Sequence, residues 1–423
     1  MKVLIRTYGC RANQYDTEAV RAMLAAAGAT ETQDATDADF AIFNSCTVTA
    51  SAEADLRSDV RAASRLNPEL RAVVMGCAAA LPSRDESVAP LRTLPGVEAV
   101  VGGADLAAIA AAIGLDNRVS DSRSGVDNGT PAQTGARALL RIQDGCDEHC
   151  TFCATTLARG ANRSRSIDDL VREAGQLAGS HPEIVLTGIH IGTYGRDNGS
   201  SLGVLVSALI DRVPRVRFRL SSVEATEVDD RLAALLTADA TRLAPHLHAP
   251  LQSGSDSVLR RMGRNWYDSA SYETAIRRIV PRDSVFALSA DIIAGFPGES
   301  DLDHLATMRM VERLPFTSLH VFPYSPRPGT GAARLGMQVT PSIARRRSQE
   351  LRDLADEKGA RHRAARGGGD CDVVVTERGK GLTEDYLSVA VDDVSLPRRS
   401  RFVGTLQSMD GRLTASLRAQ SLA

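Results

Sequence analysis

The segment Cys-Asp-Glu-His-Cys-Thr-Phe-Cys at positions 146–153 is the most informative part of this chain for its fold and chemistry. It directly follows a predicted strand at residues 138–142. Its cysteines, Cys146, Cys150 and Cys153, are called the loop triad, and a loop this short lets three thiolates converge on one metal centre. Iron–sulfur clusters usually have four cysteine ligands, so a cluster on this triad would leave one iron open to another ligand.

The same loop offers an alternative site for zinc, which would be bound by the three cysteines and His149. Zinc sites more often pair two cysteine knuckles that lie far apart in the sequence. No second knuckle lies near this loop. The spacing and its context therefore favour an iron–sulfur cluster over a zinc ion.

Three further cysteines share a position just past the carboxyl end of a predicted strand. They are Cys10, Cys46 and Cys77, after strands at residues 2–6, 39–43 and 72–75, and are called the N-terminal triad. Ligand crevices of open α/β sheets form at that edge. One such cysteine would more often be a small buried apolar side chain, but three in equivalent positions indicate a shared metal site. Cys371 has no partner in this scheme and is predicted to lie in a core.

Residues 1–115 alternate short apolar strands with helical stretches, and the last of these strands is Val97–Val101. A helix is predicted at Thr17–Ala27, whose apolar side chains fall on one face. This rhythm predicts an open parallel α/β domain with helices on both faces of its sheet. The polar stretch at residues 116–135 is predicted to be a linker.

Residues 136–366 repeat the rhythm on a larger scale. Six strands are predicted, at residues 138–142, 183–187, 216–220, 246–251, 286–293 and 318–322. Six β/α units predict a partial (β/α)6 barrel whose working face is formed by the carboxyl ends of the strands. Gly367-Gly368-Gly369 marks a hinge. In residues 367–423, four short strands are predicted, at 371–376, 386–391, 401–406 and 412–417, as in a small all-β barrel. The fold class is therefore α/β with a C-terminal all-β domain.

The composition is that of a globular protein of several domains, with 423 residues, 43% hydrophobic and 24% charged. A net charge of −2 does not indicate a generally basic nucleic-acid-binding protein. Residues 340–423 are more basic, with 15 Lys and Arg against 12 Asp and Glu. The arginine runs at 345–347 and 398–401 fit either contacts with phosphates or a solvated helix face.

No stretch approaches the roughly 18–20 apolar residues that a membrane-spanning helix needs. The first residues, Met1–Ile5, lack the features of a signal peptide and are predicted to begin a strand. We therefore expect a cytoplasmic protein with no membrane contact. A disulfide framework among its seven cysteines is not expected in that compartment.

Together these residues resemble the methylthiotransferase family of radical S-adenosylmethionine (AdoMet) enzymes. The resemblance covers nearly the whole chain. It implies an N-terminal methylthiotransferase domain at residues 1–115, a radical AdoMet core at 136–366 and a TRAM-like domain at 367–423. Besides the two triads, the matching stretches are Asn44–Thr49, Ala158–Gly160, Leu247–Ser255 and Ala294–Glu299.

The resemblance implies a 4Fe-4S cluster on the loop triad whose open iron binds AdoMet. Reductive cleavage of AdoMet would then release a 5′-deoxyadenosyl radical that removes hydrogen from an unactivated C–H bond. A second 4Fe-4S cluster on the N-terminal triad would carry the sulfur that another AdoMet methylates. The implied partners are an electron donor, such as flavodoxin or ferredoxin, and a source of sulfur.

Positions near AdoMet are also implied by the resemblance. Thr187 and Gly188 would contact the methionine amine, Gln252 and Ser253 the ribose hydroxyls, and Gly295 the adenine, with Ser222 and Glu224 as further candidates. Glycine permits a close backbone approach to a ligand. For each polar residue alone, a role in a turn or a helix cap is an equally good explanation.

Within the family, residues 11–16 and 46–49 look most like the branch that acts on N6-threonylcarbamoyladenosine in tRNA, on the 3′ side of the anticodon. Other branches act on N6-isopentenyladenosine in tRNA or on an aspartate of a ribosomal protein. An anionic threonylcarbamoyl group needs a cation or several donors when it is desolvated. Arg11 is the candidate cation and Asn13 and Gln14 are candidate donors, unless this stretch is a solvent-facing loop.

The basic C-terminal region suits an RNA substrate, because neutralising phosphates supplies affinity that does not depend on sequence. Outside the family, the best alternative is a non-catalytic, zinc-containing RNA-binding protein. It would use the same loop and the same basic region without any redox role.

Overall fold

The computed structural model describes residues 1–48, 50–81, 90–115, 133–281, 285–409 and 411–418. They fall into two compact units. The first unit contains residues 1–133, 144–163 and 325–333, and the second contains 134–143, 164–324 and 334–423. Nearly all of the predicted linker lies outside the described residues.

The first unit is built on a parallel sheet of five strands in the order β2-β1-β3-β4-β5. The strands are β1 (Lys2–Thr7), β2 (Thr30–Thr32), β3 (Phe40–Ser45), β4 (Arg71–Gly76) and β5 (Val97–Gly102), and the helices are α1 (Arg11–Ala26), α2 (Ala50–Leu66), α3 (Cys77–Ala80) and α4 (Leu106–Ala112). The predicted open parallel sheet is confirmed. The strand β2 was not predicted, because it is short, polar and mostly exposed.

Alternate residues of the central strands face two separate cores, as the pleat of a strand requires. One core contains Val3, Ile5, Val20, Met23 and Ile109, and the other contains Leu4, Phe43, Leu56, Val60 and Val74. The helices α1 and α4 therefore cover one face of the sheet, and α2 covers the other. Burying each of these side chains contributes about 1.5–3 kcal/mol.

The second unit contains six parallel strands in chain order. They are β6 (Ala138–Arg141), β9 (Glu183–Thr187), β10 (Arg217–Leu220), β11 (His246–His248), β12 (Ala287–Ala294) and β13 (Ser318–Pro323); β7 (Gln143–Asp144) and β8 (Arg163–Ser164) form a separate short pair. The six strands form two ladders, β6-β9-β10 and β11-β12-β13, which single bridges such as Ser222 with His248 connect. This is the predicted partial (β/α)6 barrel, with a weak seam in its middle.

Short helices alternate with these strands. They are α5 (Thr155–Arg159), α6 (Ile167–Ala178), α7 (Leu202–Arg212), α8 (Asp230–Ala238), α9 (Asp256–Arg261), α10 (Ser269–Ile279) and α11 (Asp301–Arg313). The long helix α12 (Pro341–Arg366) follows, and it ends where Gly367 takes the C-cap position. None of the described helices is both long enough and apolar enough to cross a membrane.

The C-terminal segment forms a closed barrel of five strands, in the order β14-β15-β16-β18-β17. They are β14 (Asp370–Glu377), β15 (Lys380–Leu382), β16 (Ser388–Val391), β17 (Arg401–Met409) and β18 (Arg412–Leu417). Four of them were predicted, and the three-residue β15 was not. Cys371 is buried in the core of this barrel, as expected.

A buried ionic cluster joins the C-terminal barrel to the β/α barrel inside the second unit. Glu183, which is fully buried, accepts hydrogen bonds from Nε of Arg217 at 2.6 Å and Nε of Arg219 at 2.8 Å. Arg219 also donates to the carbonyls of Thr383 and Glu384, both at 3.0 Å. Burial alone would raise the pKa of Glu183, but the two guanidinium groups lower it well below its ordinary value.

Candidate metal centres

The N-terminal triad lies at the carboxyl ends of three adjacent strands. Cys10 follows β1, Cys46 follows β3 and Cys77 follows β4, and these strands are neighbours in the sheet. The strand order 2-1-3-4-5 reverses its direction of growth between β1 and β3, and ligands of open α/β sheets bind at such switch points. The predicted convergence of these loops is therefore a consequence of the sheet topology.

Glycines let the triad loops approach one another closely. Gly9 has a φ of +91°, and a Cβ atom at this position would lie 2.3 Å from Sγ of Cys46. Gly76 has a φ of +96°, and a Cβ atom there would lie 2.3 Å from Oδ1 of Asn44. Any other residue at position 9 would thus occupy space that the sulfur of Cys46 needs.

The three thiols of the N-terminal triad differ in exposure and interact electrostatically. Cys46 and Cys77 are buried, whereas Cys10 is exposed and its side chain makes no capping hydrogen bond to α1. Burial raises the pKa of Cys77 to about 11, with smaller contributions from Cys10 and Cys46, while Arg159 lowers it. Such a set has one accessible sulfur and two shielded ones.

Asn13 organises this triad and does not fit the predicted role of a substrate donor. Its side chain is fully buried in the first turn of α1. Nδ2 donates to the carbonyl of Tyr8 at 2.9 Å and to that of Ser45 at 2.8 Å. It therefore joins the loops before Cys10 and Cys46, and that part of the prediction is wrong. The helix α1 begins at Arg11, six residues earlier than predicted.

The loop triad belongs to the same compact unit, because residues 144–163 lie in the first unit. The loop is closed at its base by a hydrogen bond from the amide of Cys146 to the carbonyl of Gly160, at 3.0 Å. The amide of Cys153 donates to the carbonyl of Cys150 at 3.1 Å, and the amide of Thr155 donates to Sγ of Cys153 at 3.3 Å. All three cysteines are half-buried.

Arg159 connects the two triads, and its side chain is only 4% exposed. Nε donates to Sγ of Cys77 at 3.2 Å, and Nη2 donates to Oδ1 of Asn13 at 2.8 Å and to Oδ2 of Asp16 at 2.7 Å. Nη1 lies 3.5 Å from Oδ1 of Asp144, just before the loop triad. The sequence places Arg159 in a matching motif, but its partners are distant in the chain.

The spacing of the thiols bears on the choice between zinc and a cluster. A tetrahedral zinc ion with Zn–S bonds of about 2.3 Å would hold its sulfurs about 3.8 Å apart. Among the described residues, the one group of three such ligand atoms that all lie within 4.8 Å is His248, Asp291 and His320. Neither cysteine triad meets that spacing, whereas a cluster, being larger than one ion, accommodates more widely spaced thiols. None of the seven cysteines, all of which are described, forms a disulfide.

Thr187 and Gly188 lie at the carboxyl end of β9, as predicted. Thr187 is buried, and Gly188 sits against the preceding loop, where a Cβ atom would lie 2.6 Å from the carbonyl oxygen of Gln143. The side chain of Gln143 accepts hydrogen bonds from the amides of Ile189 and His190, at 3.1 Å and 2.9 Å. This strand end is therefore rigid and leaves no room for side-chain bulk. Its contact with AdoMet stays a prediction.

Ser222 and His248 form a polar pair where the two ladders of the barrel meet. Oγ of Ser222 lies 2.7 Å from Nδ1 of His248, whose Nε2 lies 3.2 Å from Oδ1 of Asp291. His320 is the register partner of Asp291 on the neighbouring strand. His248, Asp291 and His320 are not among the residues predicted from the sequence, although His248 lies within one of the matching stretches.

Glu224 and Gln252, two predicted AdoMet contacts, differ in how the protein holds them. Glu224 is buried, and one of its carboxylate oxygens forms an ion pair with Arg264. That oxygen therefore helps to hold the turn that follows α9. Gln252 has a φ of +60°, which is rare for a residue with a side chain and is typical of functional sites. Its backbone is anchored to β12, because its amide donates to the carbonyl of Asp291.

Ser253 and Gly295 have packing roles in the second unit. Oγ of Ser253 lies 3.3 Å from Oγ1 of Thr307 and accepts from the amide of Ser255 at 3.2 Å. A Cβ atom at Gly295 would lie 2.5 Å from Cβ of Ala344, on α12. The need for glycine at position 295 thus follows from helix packing alone, and its contact with adenine stays a prediction.

The arginine runs are less available to phosphate than their sequence indicates. Arg347 is buried and pairs with Glu299 at 2.8 Å. Arg401 pairs with Asp372 and is half-buried. Arg398, by contrast, is exposed on the C-terminal barrel. The runs therefore divide between structural ion pairs and solvent-facing cations.

Two family models match this chain. The model described as Uncharacterized protein family UPF0004 matches residues 2–102, and the model described as Radical SAM superfamily matches residues 140–311. The first match contains the N-terminal triad and the second contains the loop triad.

The chain is 34% identical over 405 residues to the threonylcarbamoyladenosine tRNA methylthiotransferase MtaB of Bacillus subtilis, covering 92% of this chain and 88% of that protein. It belongs to the radical AdoMet tRNA methylthiotransferase family. The methylthiotransferase of the same name from Thermotoga maritima is 35% identical, covering 85% of this chain and 83% of that protein. A tRNA-2-methylthio-N(6)-dimethylallyladenosine synthase of Roseobacter denitrificans is 33% identical, covering 93% of each chain.

The fold agrees with this membership. The chain superposes on the radical AdoMet methyltransferase TsrM from Kitasatospora setae with a TM-score of 0.56 at 15% identity, covering 78% of this chain and 76% of that one. This methylthiotransferase is therefore an enzyme, and its radical AdoMet domain implies a 4Fe-4S cluster and AdoMet as cofactors. The three cysteines of the loop triad suit that cluster, because they leave one iron open to AdoMet.

Proposed function

We propose that this enzyme methylthiolates N6-threonylcarbamoyladenosine in tRNA, on the 3′ side of the anticodon, to the 2-methylthio form. The observation that carries the proposal is that both cysteine triads lie in one compact unit, with Arg159 bonded to a sulfur of one and to the base of the other. The names of the Bacillus subtilis and Thermotoga maritima relatives support the substrate.

The proposed division of labour assigns one 4Fe-4S cluster to each triad. When bound, the loop-triad cluster and AdoMet supply a 5′-deoxyadenosyl radical, and the second cluster supplies the sulfur. The loop triad fits its role because three half-buried cysteines leave one iron for AdoMet. The N-terminal triad fits its role because Cys10 is exposed while Cys46 and Cys77 are shielded. An electron donor and a sulfur source remain predictions.

Gln252 is the proposed AdoMet contact that the second unit supports best. Its left-handed backbone conformation has a cost of about 1–3 kcal/mol, which the surrounding structure must offset. The amide and the carbonyl of Gln252 are both bonded to β12, so the strained residue is held rigidly. The polar group of Ser222, His248 and Asp291 is a candidate addition to the same site.

Arg11 is the proposed cation for the carboxylate of the threonylcarbamoyl group. It is half-buried in the first turn of α1, directly after Cys10, and Gln14 is exposed one turn further along. A cation at this position favours an anionic substituent, because an apolar isopentenyl group offers no charge for it to bind. Arg11→Gln should therefore lower activity on the threonylcarbamoyl substrate more than it lowers AdoMet cleavage.

The test uses reduced, reconstituted enzyme with AdoMet and three substrates in parallel: tRNA with threonylcarbamoyladenosine, tRNA with isopentenyladenosine, and the ribosomal protein. Mass spectrometry of the products should find the methylthio group on the first alone. Product on the isopentenyl substrate alone would favour the branch of the Roseobacter denitrificans relative. Arg21→Gln, on the same helix at the ion pair with Glu31, is the matched control for Arg11→Gln.

The non-catalytic zinc protein is the alternative from another class. Anaerobic reconstitution separates the two directly, since a cluster protein is brown and holds iron. Zinc at about one ion per chain, without iron, would support that alternative. Contacts to tRNA are proposed for exposed arginines of the C-terminal barrel such as Arg378, Arg398 and Arg412. Replacing them with glutamine should reduce the salt dependence of tRNA binding.

A further inference from the structure

Arg159 is a buried cation whose side-chain partners come from four earlier positions in the chain, Asn13, Asp16, Cys77 and Asp144. It is the last residue of α5, directly after the loop triad, and the Asp16 side chain that pairs with it is only 1% exposed. A buried guanidinium is tolerated only when it is paired and its donors are used. Here Asp16, Asn13 and Cys77 all come from the sheet domain, so that domain holds the loop.

The direction of each donor is informative. The ion pair with Asp16 would by itself anchor the loop, and it uses only Nη2. The separate Nε–H group is directed at Sγ of Cys77, at 3.2 Å. The planar guanidinium cannot move one of these donors without moving the others, which makes it a rigid spacer. A lysine, with a single charged nitrogen, could not make the same set of contacts.

We propose that Arg159 is a positioning residue with two effects. It sets the reduction potential of the cluster on the N-terminal triad, and it fixes the position of the loop triad relative to that cluster. This inference rests on the proposed function, because it requires a cluster at Cys10, Cys46 and Cys77. Hydrogen bonds donated to cluster sulfurs, and positive charge near them, favour the reduced, more negative state of a cluster. Arg159 supplies both, and Asp16 offsets part of its charge.

The tight closure at the base of the loop explains why Arg159 also fixes the position of the loop triad relative to Cys77. A Cβ atom at Gly145 would lie 1.9 Å from the carbonyl oxygen of Ala161, so the loop is closed tightly beside Arg159. Nη1 of Arg159 reaches Asp144, the residue before that glycine. A displacement of the guanidinium therefore displaces the base of the loop triad relative to Cys77. Sulfur transfer depends on that separation, whereas AdoMet cleavage at the loop triad does not.

The test measures iron content and midpoint potentials of the full, reconstituted chain by electron paramagnetic resonance. A Cys146→Ala/Cys150→Ala/Cys153→Ala variant identifies which potential belongs to the N-terminal triad. Arg159→Gln should shift that potential to more negative values, because a donor and a positive charge are lost. Arg159→Lys should recover part of the shift. Asp16→Asn should shift the potential in the opposite direction, because the charge of Arg159 is no longer offset.

Arg163→Gln is the matched control, since Arg163 lies in the same segment but is 62% exposed and bonds to no sulfur. It should leave the potential and iron content unchanged. Arg159→Gln should also raise the ratio of 5′-deoxyadenosine to methylthio product several-fold, and Arg163→Gln should not.

An Arg159→Gln variant that keeps its iron and its potential would overturn the inference. If this variant loses iron from the N-terminal triad, the potential of that cluster in Asp16→Asn becomes the test. An unshifted potential in Asp16→Asn would also overturn the inference. Absence of iron from the N-terminal triad of the unmodified protein would instead refute the two-cluster function.

Discussion

The carboxylate of Glu183 and the guanidinium of Arg219 are both fully buried, and Nε of Arg219 lies 2.8 Å from Oε1 of Glu183. Glu183 begins β9 of the β/α barrel, while Arg219 reaches on to carbonyls of the C-terminal barrel. Arg217 shares the same carboxylate and also lies 3.3 Å from Asp372, a residue of the C-terminal barrel. Deleting residues 367–423 would uncover these charges, so truncation is not a clean test of RNA binding.

Glu183→Gln should destabilise the protein strongly. The variant removes the ion-pair partner of Arg219 and leaves Arg217 with Asp372 at 3.3 Å, and breaking such a buried pair costs about 3–5 kcal/mol. Urea denaturation of the apoprotein, followed by circular dichroism, should show a lower midpoint for the second unit. Glu377→Gln, which removes an exposed partner of Lys380, is the control and should have no measurable effect. Equal midpoints for the two variants would contradict this account.

Gly9→Ala should abolish metal binding by the N-terminal triad. The added Cβ atom would lie 2.3 Å from Sγ of Cys46, and the backbone also has a left-handed φ. Gly28→Ala separates these effects, because Gly28 has a φ of +77° but no atom lies within 4 Å of the added carbon. Both variants incur a backbone cost of about 1–2 kcal/mol. Iron analysis should show loss in Gly9→Ala only, and equal iron contents would disprove the steric role of Gly9.

Removing the loop triad should leave about half of the iron. We expect about eight irons per reconstituted chain, in two four-iron clusters, and about four after alanine replaces the three loop cysteines. Cys371→Ala is the control, because this buried thiol belongs to neither triad. Loss of all iron, or of none, would contradict the assignment of one cluster to each triad.

Replacing the N-terminal triad with alanine should uncouple the two half-reactions. AdoMet cleavage needs only the loop triad, so 5′-deoxyadenosine should still form under reducing conditions. No methylthio product should form, because its sulfur source is lost. Chromatography of the nucleosides measures both products in one sample. If cleavage also stops while the loop cluster keeps its iron, the proposed roles are wrong.

Asp385→Asn should destabilise the protein in a pH-dependent way. Burial raises the pKa of Asp385, but the hydrogen bond from His362, the charge of Arg366 and the hydrogen bond from Thr383 lower it to about 2. A depressed pKa stabilises the folded state above the ordinary carboxyl pKa of about 4, by about 2 kcal/mol, and this contribution is lost as the pH falls towards 2. The gap between the denaturation midpoints of wild type and variant should be constant from about pH 7 to pH 5 and narrow at about pH 3.5. A gap of the same size at all three values would refute this linkage.

The sequence alone predicts the strands with good accuracy where the pattern is local. The predicted strand at residues 183–187 agrees with β9, and the one at 412–417 agrees with β18. Apolar alternation and glycine-containing turns are sufficient for these strands because they depend on neighbouring residues. The short strands β2 and β15 escaped prediction because three residues carry too little pattern.

The sequence by itself also indicated which cysteines lie at equivalent strand ends, because their spacing relative to the strands is a local property. Only the tertiary structure decided which polar side chains are available. Asn13 is occupied by the backbone, Arg347 by Glu299, and Arg159 by Cys77 and Asp16. Their partners lie far away in the chain, so no local pattern indicates them. Burial and pairing of a charge are decided by long-range packing, and the connection between the two triads through Arg159 exists only in the folded protein.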